Sequence, residues 1–173
     1  QLQEAGDWVA AGALLARAAV SLQAAGAEFL LLCTNTMHRV AGEIEAAVAI
    51  PLLHIADATA AAVRASGHAT VGLLGTRFTM EEPFYRDRLQ QLHGLRVIVP
   101  AAAARAAVHR IIYDELCRGI IRNESRALYR QAIGELAAQG AQAIILGCTE
   151  IGLFVGTGDL PLPLFDTAAL HAQ

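Results

Sequence analysis

Two clusters in this chain combine residue types that can do chemistry: Thr34-Asn35-Thr36 and Cys148-Thr149-Glu150. A thiol can act as a nucleophile or as a proton-transfer base. A Cys between a buried strand and the next element sits near backbone N–H groups, which predicts a lowered pKa. Hydroxyl and amide side chains beside strand-end N–H groups suit a carboxylate ligand. Thr76-Arg77 and Asp166-Thr167 end apolar runs in the same way. Thr, Asn and Asp also cap helices in any fold, and a lone buried Cys is commonly a small hydrophobe. Four clusters at one kind of position, one of them holding a Cys, favour the functional reading.

The elements that must position these clusters follow from the apolar pattern. A helix is expected over Asp7 to Ala25, stopped by Gly26, then a buried strand at Phe29 to Leu32. A helical stretch from about Met37 to Ala47 leads to a strand at Ile50 to Ile55 and a helix at Asp57 to Ala65. Thr70 to Leu74 reads as a strand, Glu81 to Leu92 as a helix, and Val97 to Val99 as a strand. Helices at Arg105 to Cys117 and Glu124 to Gln139 precede strands at Ala143 to Leu146 and Leu162 to Phe165. Short apolar strands alternating with helices predict an α/β protein whose parallel sheets are flanked by helices. Ligands in such folds collect at the carboxyl ends of the strands, where all four polar clusters fall.

The chain contains an internal repeat. At an offset of 114 residues, Leu22 to Thr34 aligns without a gap to Leu136 to Cys148. Gly26-Ala27-Glu28 meets Gly140-Ala141-Gln142, and Leu30-Leu31-Leu32 meets Ile144-Ile145-Leu146. Further on, Pro51-Leu52-Leu53-His54-Ile55 resembles Pro161-Leu162-Pro163-Leu164-Phe165. Two pseudo-symmetric domains are therefore expected, with 1–65 as the remnant of the first and 66–173 as the second. The strand and glycine turn at Val71 to Thr76 have no counterpart upstream in the first half, so an N-terminal strand appears as a missing piece of the pattern. The gapless register pairs Thr34 with Cys148 and Cys33 with Gly147. A one-residue slip turns a strand side chain to the other face, so Cys33 is expected to point away from the cleft and Thr34 to lie opposite Cys148.

Composition narrows the field. Of 173 residues, 55% are hydrophobic and 17% charged, enough apolar content for a sizeable core. The net charge is −3 and no basic run is present, which argues against nucleic acid or an anionic membrane surface as partner. No apolar stretch is long enough to span a membrane, and the first residues lack a signal-peptide pattern. Three cysteines without a C-x-x-C argue against a disulfide framework or a Cys-based zinc site, and fit a reducing, cytoplasmic setting. No metal site is expected.

Cys33-Thr34-Asn35-Thr36-Met37-His38 and Gly147-Cys148-Thr149-Glu150-Ile151 resemble the two signature motifs of the aspartate/glutamate racemase family. Pro51 to Thr59, Leu73 to Arg77 and Ile111 to Leu116 are similar to further segments of it, so the resemblance covers essentially the whole chain. It implies a cofactor-independent, pyridoxal-independent amino-acid racemase with its active site at the domain interface, and a homodimer. In that family each half normally supplies a catalytic Cys, the first directly before Asn-Thr. Here Thr34 stands before Asn35-Thr36, which resembles the bacterial aspartate/glutamate racemases specific for the L substrate, with a Thr/Cys pair. The resemblance makes Cys148 the principal acid/base and puts Thr34 in the second catalytic slot. Thr34, Asn35, Thr36, Thr149 and Glu150 are carried over as substrate contacts, with Gln3 and Glu115 as further ones. His38, His54 and His171 read as structural.

Two other functions fit the same residues. A decarboxylase or maleate-type isomerase on the same scaffold also needs only one or two cleft cysteines. A non-catalytic small-acid-binding module is the third reading, because a Thr hydroxyl is a far weaker base than a thiolate.

Overall fold

The structure is a computed structural model and describes residues 2–153, 155 and 162–173. Helices α1 (Leu2–Ala5) and α2 (Trp8–Ala24) lead into β1 (Leu30–Leu31). A 3₁₀ turn at Thr36–Val40 and helix α3 (Ala41–Ala47) precede β2 (Leu52–Leu53) and α4 (Ile55–Ala65). Then come β3 (Thr70–Gly75), α5 (Arg77–Glu81), α6 (Pro83–Gln91) and β4 (Arg96–Ile98). Helices α7 (Ala102–Asp114) and α8 (Asn123–Ala138) are followed by β5 (Ala143–Gly147), β6 (Leu164–Asp166) and α9 (Thr167–His171). All strand pairings are parallel, in a two-stranded sheet β1-β2 and a four-stranded sheet ordered β4-β3-β5-β6.

The large sheet is covered on both faces, which explains why its strands read as continuous apolar runs. Leu74, Ile144 and Leu146 pack with Val108, Ile111 and Ile112 of α7 and Tyr129, Ile133 and Leu136 of α8. Val71, Leu73, Ala143 and Ile145, on the opposite face, pack with Ile55, Ala56, Ala60 and Val63 of α4 and Tyr85 and Leu89 of α6. Helix α4 thus leaves the small sheet directly after β2 and seats on the large one. The small sheet packs Leu30 and Leu52 against Ala19, Ala41 and Ile44, while Leu31 and Leu53 are exposed.

Several expected boundaries shift for local reasons. The helix expected from Glu81 to Leu92 is α6, which starts at Pro83, and a separate short helix, α5, precedes it and ends at Glu81; Pro83 holds Glu82 extended at ψ 151° between the two. The strand expected from Leu162 begins at Leu164 and runs through Asp166. That shift corrects the second part of the repeat. Leu30 N–H donates to Pro51 O at 2.8 Å, and Ile144 N–H donates to Pro163 O at 2.9 Å. The pairings Leu30 with Leu52 and Ile144 with Leu164 agree. Pro51 therefore corresponds to Pro163. Pro161, the partner read from sequence, lies outside the described residues.

Candidate active site

Thr34 follows β1 of the small sheet, and Thr76 and Cys148 follow the parallel β3 and β5 of the large one, so the ends of three strands deliver polar residues to one rim. Gly75 and Gly147 are direct neighbours in the β3-β5 register, which sets Thr76 beside Cys148. The approach is close: a Cβ on Gly75 would stand 2.7 Å from Gly147 O. The glycine that ends each strand lets the two chains converge here.

A cavity of about 120 Å³ opens at this rim. Thr34, Asn35, Thr36, Cys148, Thr149 and Glu150 line it together with Thr76, Ile112, Tyr113, Cys117 and Gly147. Cys33 is exposed and is not in this wall; it lines an adjoining hollow with Leu31, Ile55 and His171, on the other side of Thr149, which lines both. Gln3 is not in the cavity wall; its side-chain amide donates to the Tyr113 hydroxyl, which is. Glu115 lies outside the wall as well. It is buried and accepts a hydrogen bond from Ser125 Oγ at 2.7 Å, tying the end of α7 to the start of α8. Tyr113 and Cys117 are wall residues that the sequence reading does not single out; the similar segment Ile111 to Leu116 contains the first, and the second follows in a 3₁₀ turn beyond the end of α7.

The loop 34–36 belongs by chain to the small sheet, yet its anchors are on the large one. Asn35 Nδ2 donates to Thr167 Oγ1 at 2.9 Å, and Thr167 Oγ1 donates to Leu146 O at 2.8 Å. Thr36 Oγ1 lies 2.8 Å from Thr76 Oγ1 and 3.4 Å from Thr79 Oγ1, a buried cluster of three hydroxyls. Asn35 Oδ1 is buried without a hydrogen-bond partner. An acceptor left unpaired in a cavity wall is costly unless a ligand donor satisfies it.

Cys148 is buried, and its thiol donates to Glu150 Oε2 at 2.9 Å; Thr149 Oγ1 donates to the same oxygen at 2.7 Å. The expected lowering of the Cys148 pKa is reversed. Burial pushes the thiol up, and the Glu150 carboxylate adds to it by hydrogen bond and by charge. Burial alone would raise Glu150 too, but the Cys148 and Thr149 hydrogen bonds hold it below the usual carboxylate range. At rest the pair is a thiol facing a carboxylate. Tyr113 is raised to about 12, by burial and then by the nearby Cys148. Among the described residues no group of three His, Cys, Asp or Glu is placed to hold a metal ion.

The sequence profile of the Asp/Glu/Hydantoin racemase family matches residues 1–173. The chain belongs to that family. It is 28% identical over 163 residues to the broad specificity amino-acid racemase RacX of Bacillus subtilis (strain 168), covering 90% of this chain and 66% of that protein. The chain thus spans just under two thirds of that relative's length. The crystal structure of an Asp/Glu racemase candidate from Yersinia pestis is similar with a TM-score of 0.92 and 57% identity, over 99% of this chain and 75% of the other. An aspartate racemase homologue from Pyrococcus horikoshii OT3 is similar with a TM-score of 0.82 and 35% identity, over 92% of this chain and 70% of the other. No helix among the described residues is long and apolar enough to cross a membrane.

Proposed function

We propose that this chain carries the acid/base centre of a cofactor-independent amino-acid racemase acting on aspartate or glutamate. The observation that carries the reading is that Thr34 and Cys148 line one cavity from the ends of strands in two different sheets. Racemisation removes a proton from Cα on one face and returns one on the other, so it needs a group on each side. Cys148 is the principal acid/base and Thr34 holds the second position. The 173 residues contain no lysine, so none of them can form the Schiff base that pyridoxal chemistry requires.

The rest of the cavity wall supports an α-amino acid as ligand. The unpaired Asn35 Oδ1 and the Glu150 carboxylate are acceptors for an ammonium group. An ammonium against Glu150 offsets the charge that helps hold the Cys148 proton in place, so substrate binding itself brings the thiolate within reach. The thiol proton leaves to solvent, the resulting thiolate takes the Cα proton, and the electron pair left on carbon delocalises into the carboxylate. A Thr hydroxyl does not ionise usefully near neutral pH. Thr34 therefore delivers a proton to the opposite face while its own is replaced from solvent. A cytoplasmic homodimer belongs to the same reading, supported by the family resemblance and the sparse cysteines, and is checked by sedimentation.

The raised Cys148 thiol also favours a second reading, a small-acid-binding module that binds aspartate or glutamate without exchange. Early-time deuterium wash-in at Cα of each enantiomer, with the full-length protein, separates the two. Racemase activity gives wash-in that is unequal between enantiomers, and Thr34→Cys raises the slower one. Binding without wash-in selects the module, and equal wash-in in the wild type removes Thr34 from the second position.

A further inference from the structure

The carbonyl of Thr34 is not held by the backbone turn that holds the carbonyl of Cys148. Cys148 O accepts from Ile151 N–H at 3.3 Å, within its own 3₁₀ turn. Thr34 O is instead bonded by a side chain: His38 Nδ1 lies 2.7 Å from it. The other ring nitrogen, His38 Nε2, accepts from Ile55 N–H at 3.3 Å. A carbonyl can only accept and a backbone N–H can only donate, so both partners demand one tautomer, with the proton on Nδ1 and a lone pair on Nε2. The ring is buried at 2% exposure and lies against His54, with ring centroids 4.2 Å apart.

The two partners belong to different parts of the fold. Thr34 opens the loop that follows β1 of the small sheet, and Ile55 opens α4, which seats on the large sheet that carries Cys148. We propose that His38 is a positioning residue for the second acid/base position: its neutral imidazole locks the Thr34 peptide to the N-terminus of α4 and so fixes the Thr34 hydroxyl against Cys148. The inference rests on the reading of Thr34 given above. Among the described residues, the second half of the repeat has no equivalent device. Gly152 stands at the position corresponding to His38, and a Cβ there would already lie 2.5 Å from Asp166 Oδ2. His38 thus acts on the Thr34 side alone.

The groups facing the ring keep it neutral. Burial is the main cause that lowers His38 to about 4, with His171 and Arg88 adding to it; the Thr34 hydrogen bond and Asp57 oppose it. His54, the nearest ring, is lowered to about 3, first by burial. A proton on Nε2 would set two donors, the imidazole and Ile55 N–H, against each other.

The test uses the full-length protein with His38→Asn, His38→Gln and His38→Ala. Asn reproduces a donor near the Nδ1 position and Gln an acceptor near Nε2. His38→Asn is expected to keep wash-in within about threefold of wild type, whereas His38→Gln and His38→Ala lose roughly tenfold or more. The loss falls on wash-in into the enantiomer whose Cα–H faces Thr34, while wash-in into the other, which Cys148 can exchange with retention, is nearly unchanged; racemisation falls equally in both directions. Equal loss for both enantiomers, or His38→Asn behaving as His38→Ala, overturns the proposal. Nitrogen-15 NMR of the histidines gives a readout independent of activity. A single Nδ1–H tautomer that stays neutral at mildly acid pH, with a Thr34 carbonyl shift moved by His38→Ala and not by His38→Asn, is expected. The opposite tautomer, or an unmoved Thr34 carbonyl, overturns it. A wild type without any wash-in sinks the racemase reading instead, and the Thr34 carbonyl shift then decides the His38 tie by itself.

Discussion

Asp166 stands to α9 as His54 stands to α4. Each is the residue immediately before the helix it caps, and each accepts a hydrogen bond from the backbone N–H two residues on: His54 Nδ1 from Ala56 at 3.1 Å, Asp166 Oδ1 from Ala168 at 2.9 Å. With the matched Pro51 and Pro163 carbonyls, this extends the repeat through both strand-to-helix junctions. The two halves share a backbone plan and differ in the charge of the cap. A carboxylate at a helix N-terminus is favourable, whereas an imidazole serves there only while neutral.

Cys148→Ser should remove nearly all α-proton exchange in the full-length protein, a loss of at least about a hundredfold. Cys33→Ala should leave most of it, because Cys33 is outside the cavity. Deuterium wash-in on aspartate and glutamate provides the comparison, and an equally inactive Cys33→Ala would reverse the roles of the two cysteines.

Glu150→Gln should lower the pKa of Cys148. The carboxylate's charge and its hydrogen bond both favour the thiol, while burial continues to hold the value up. Ultraviolet thiolate absorbance against pH, in a Cys33→Ala and Cys117→Ala background, reads the change. A midpoint that does not move shows that burial alone governs the thiol. Turnover should fall in the same variant if Glu150 binds the ammonium, so the two effects have opposite signs.

Acid should destabilise the protein through the buried imidazoles. His38 and His54 are lowered from 6.5 to about 4 and about 3, burial being the main cause in both. Depressed values in the folded state mean that the unfolded chain binds protons first. The stability these groups contribute is complete above pH 6.5 and is lost as pH falls through the folded values. Between about pH 7 and pH 5 each should cost about 2 kcal/mol. Urea unfolding at the two pH values measures the sum, and His54→Asn, which keeps a capping side chain, should remove about half of it.

Gly75→Ala should damage the site more than its small size implies. The added methyl meets Gly147 O at 2.7 Å, and backbone cannot swing aside as a side-chain tip can. A cost of about 1–3 kcal/mol is expected, with a loss of wash-in because Thr76 and Cys148 are forced apart. Gly134→Ala, with nothing within 4 Å of the new methyl, is the matched control. A melting temperature equal to wild type for Gly75→Ala would refute the close approach.

Much of this arrangement was legible in the residues. The strand at Ala143–Gly147 and the helices around it announce themselves because burial on both faces leaves an unbroken apolar run. The pairing of Thr34 with Cys148 was legible because the repeat around it has no gap. What was not legible depends on distant packing. The Cys148 pKa runs against the sequence expectation because a backbone N–H near the strand end is visible in sequence and does act to lower it, whereas the burial and the Glu150 side chain that outweigh it are not visible. The sequence alignment of Pro51 differs by two residues from the structural match to Pro163, since a proline also stands at 161 and only the sheet register distinguishes them. The short β1 and β2 reflect a sheet of two strands, too small to order the full apolar runs that encode it.

The crossing of α4 also has a consequence for how the molecule opens. β2 and α4 are separated by His54 alone, yet they belong to different layers. Peeling the small sheet away would pull Ile55 and Ala56 out of a core in which both are nearly inaccessible to solvent. That exposure couples the opening of the small sheet to the core of the large one, so the amide hydrogens around β2 and the start of α4 should exchange together in spite of the separate cores. The site itself joins residues far apart in the chain: Asn35 bonds to Thr167 and Thr36 to Thr76. Contacts of such separation carry a large loop-closure cost, so forming the site is tied to forming the fold as a whole.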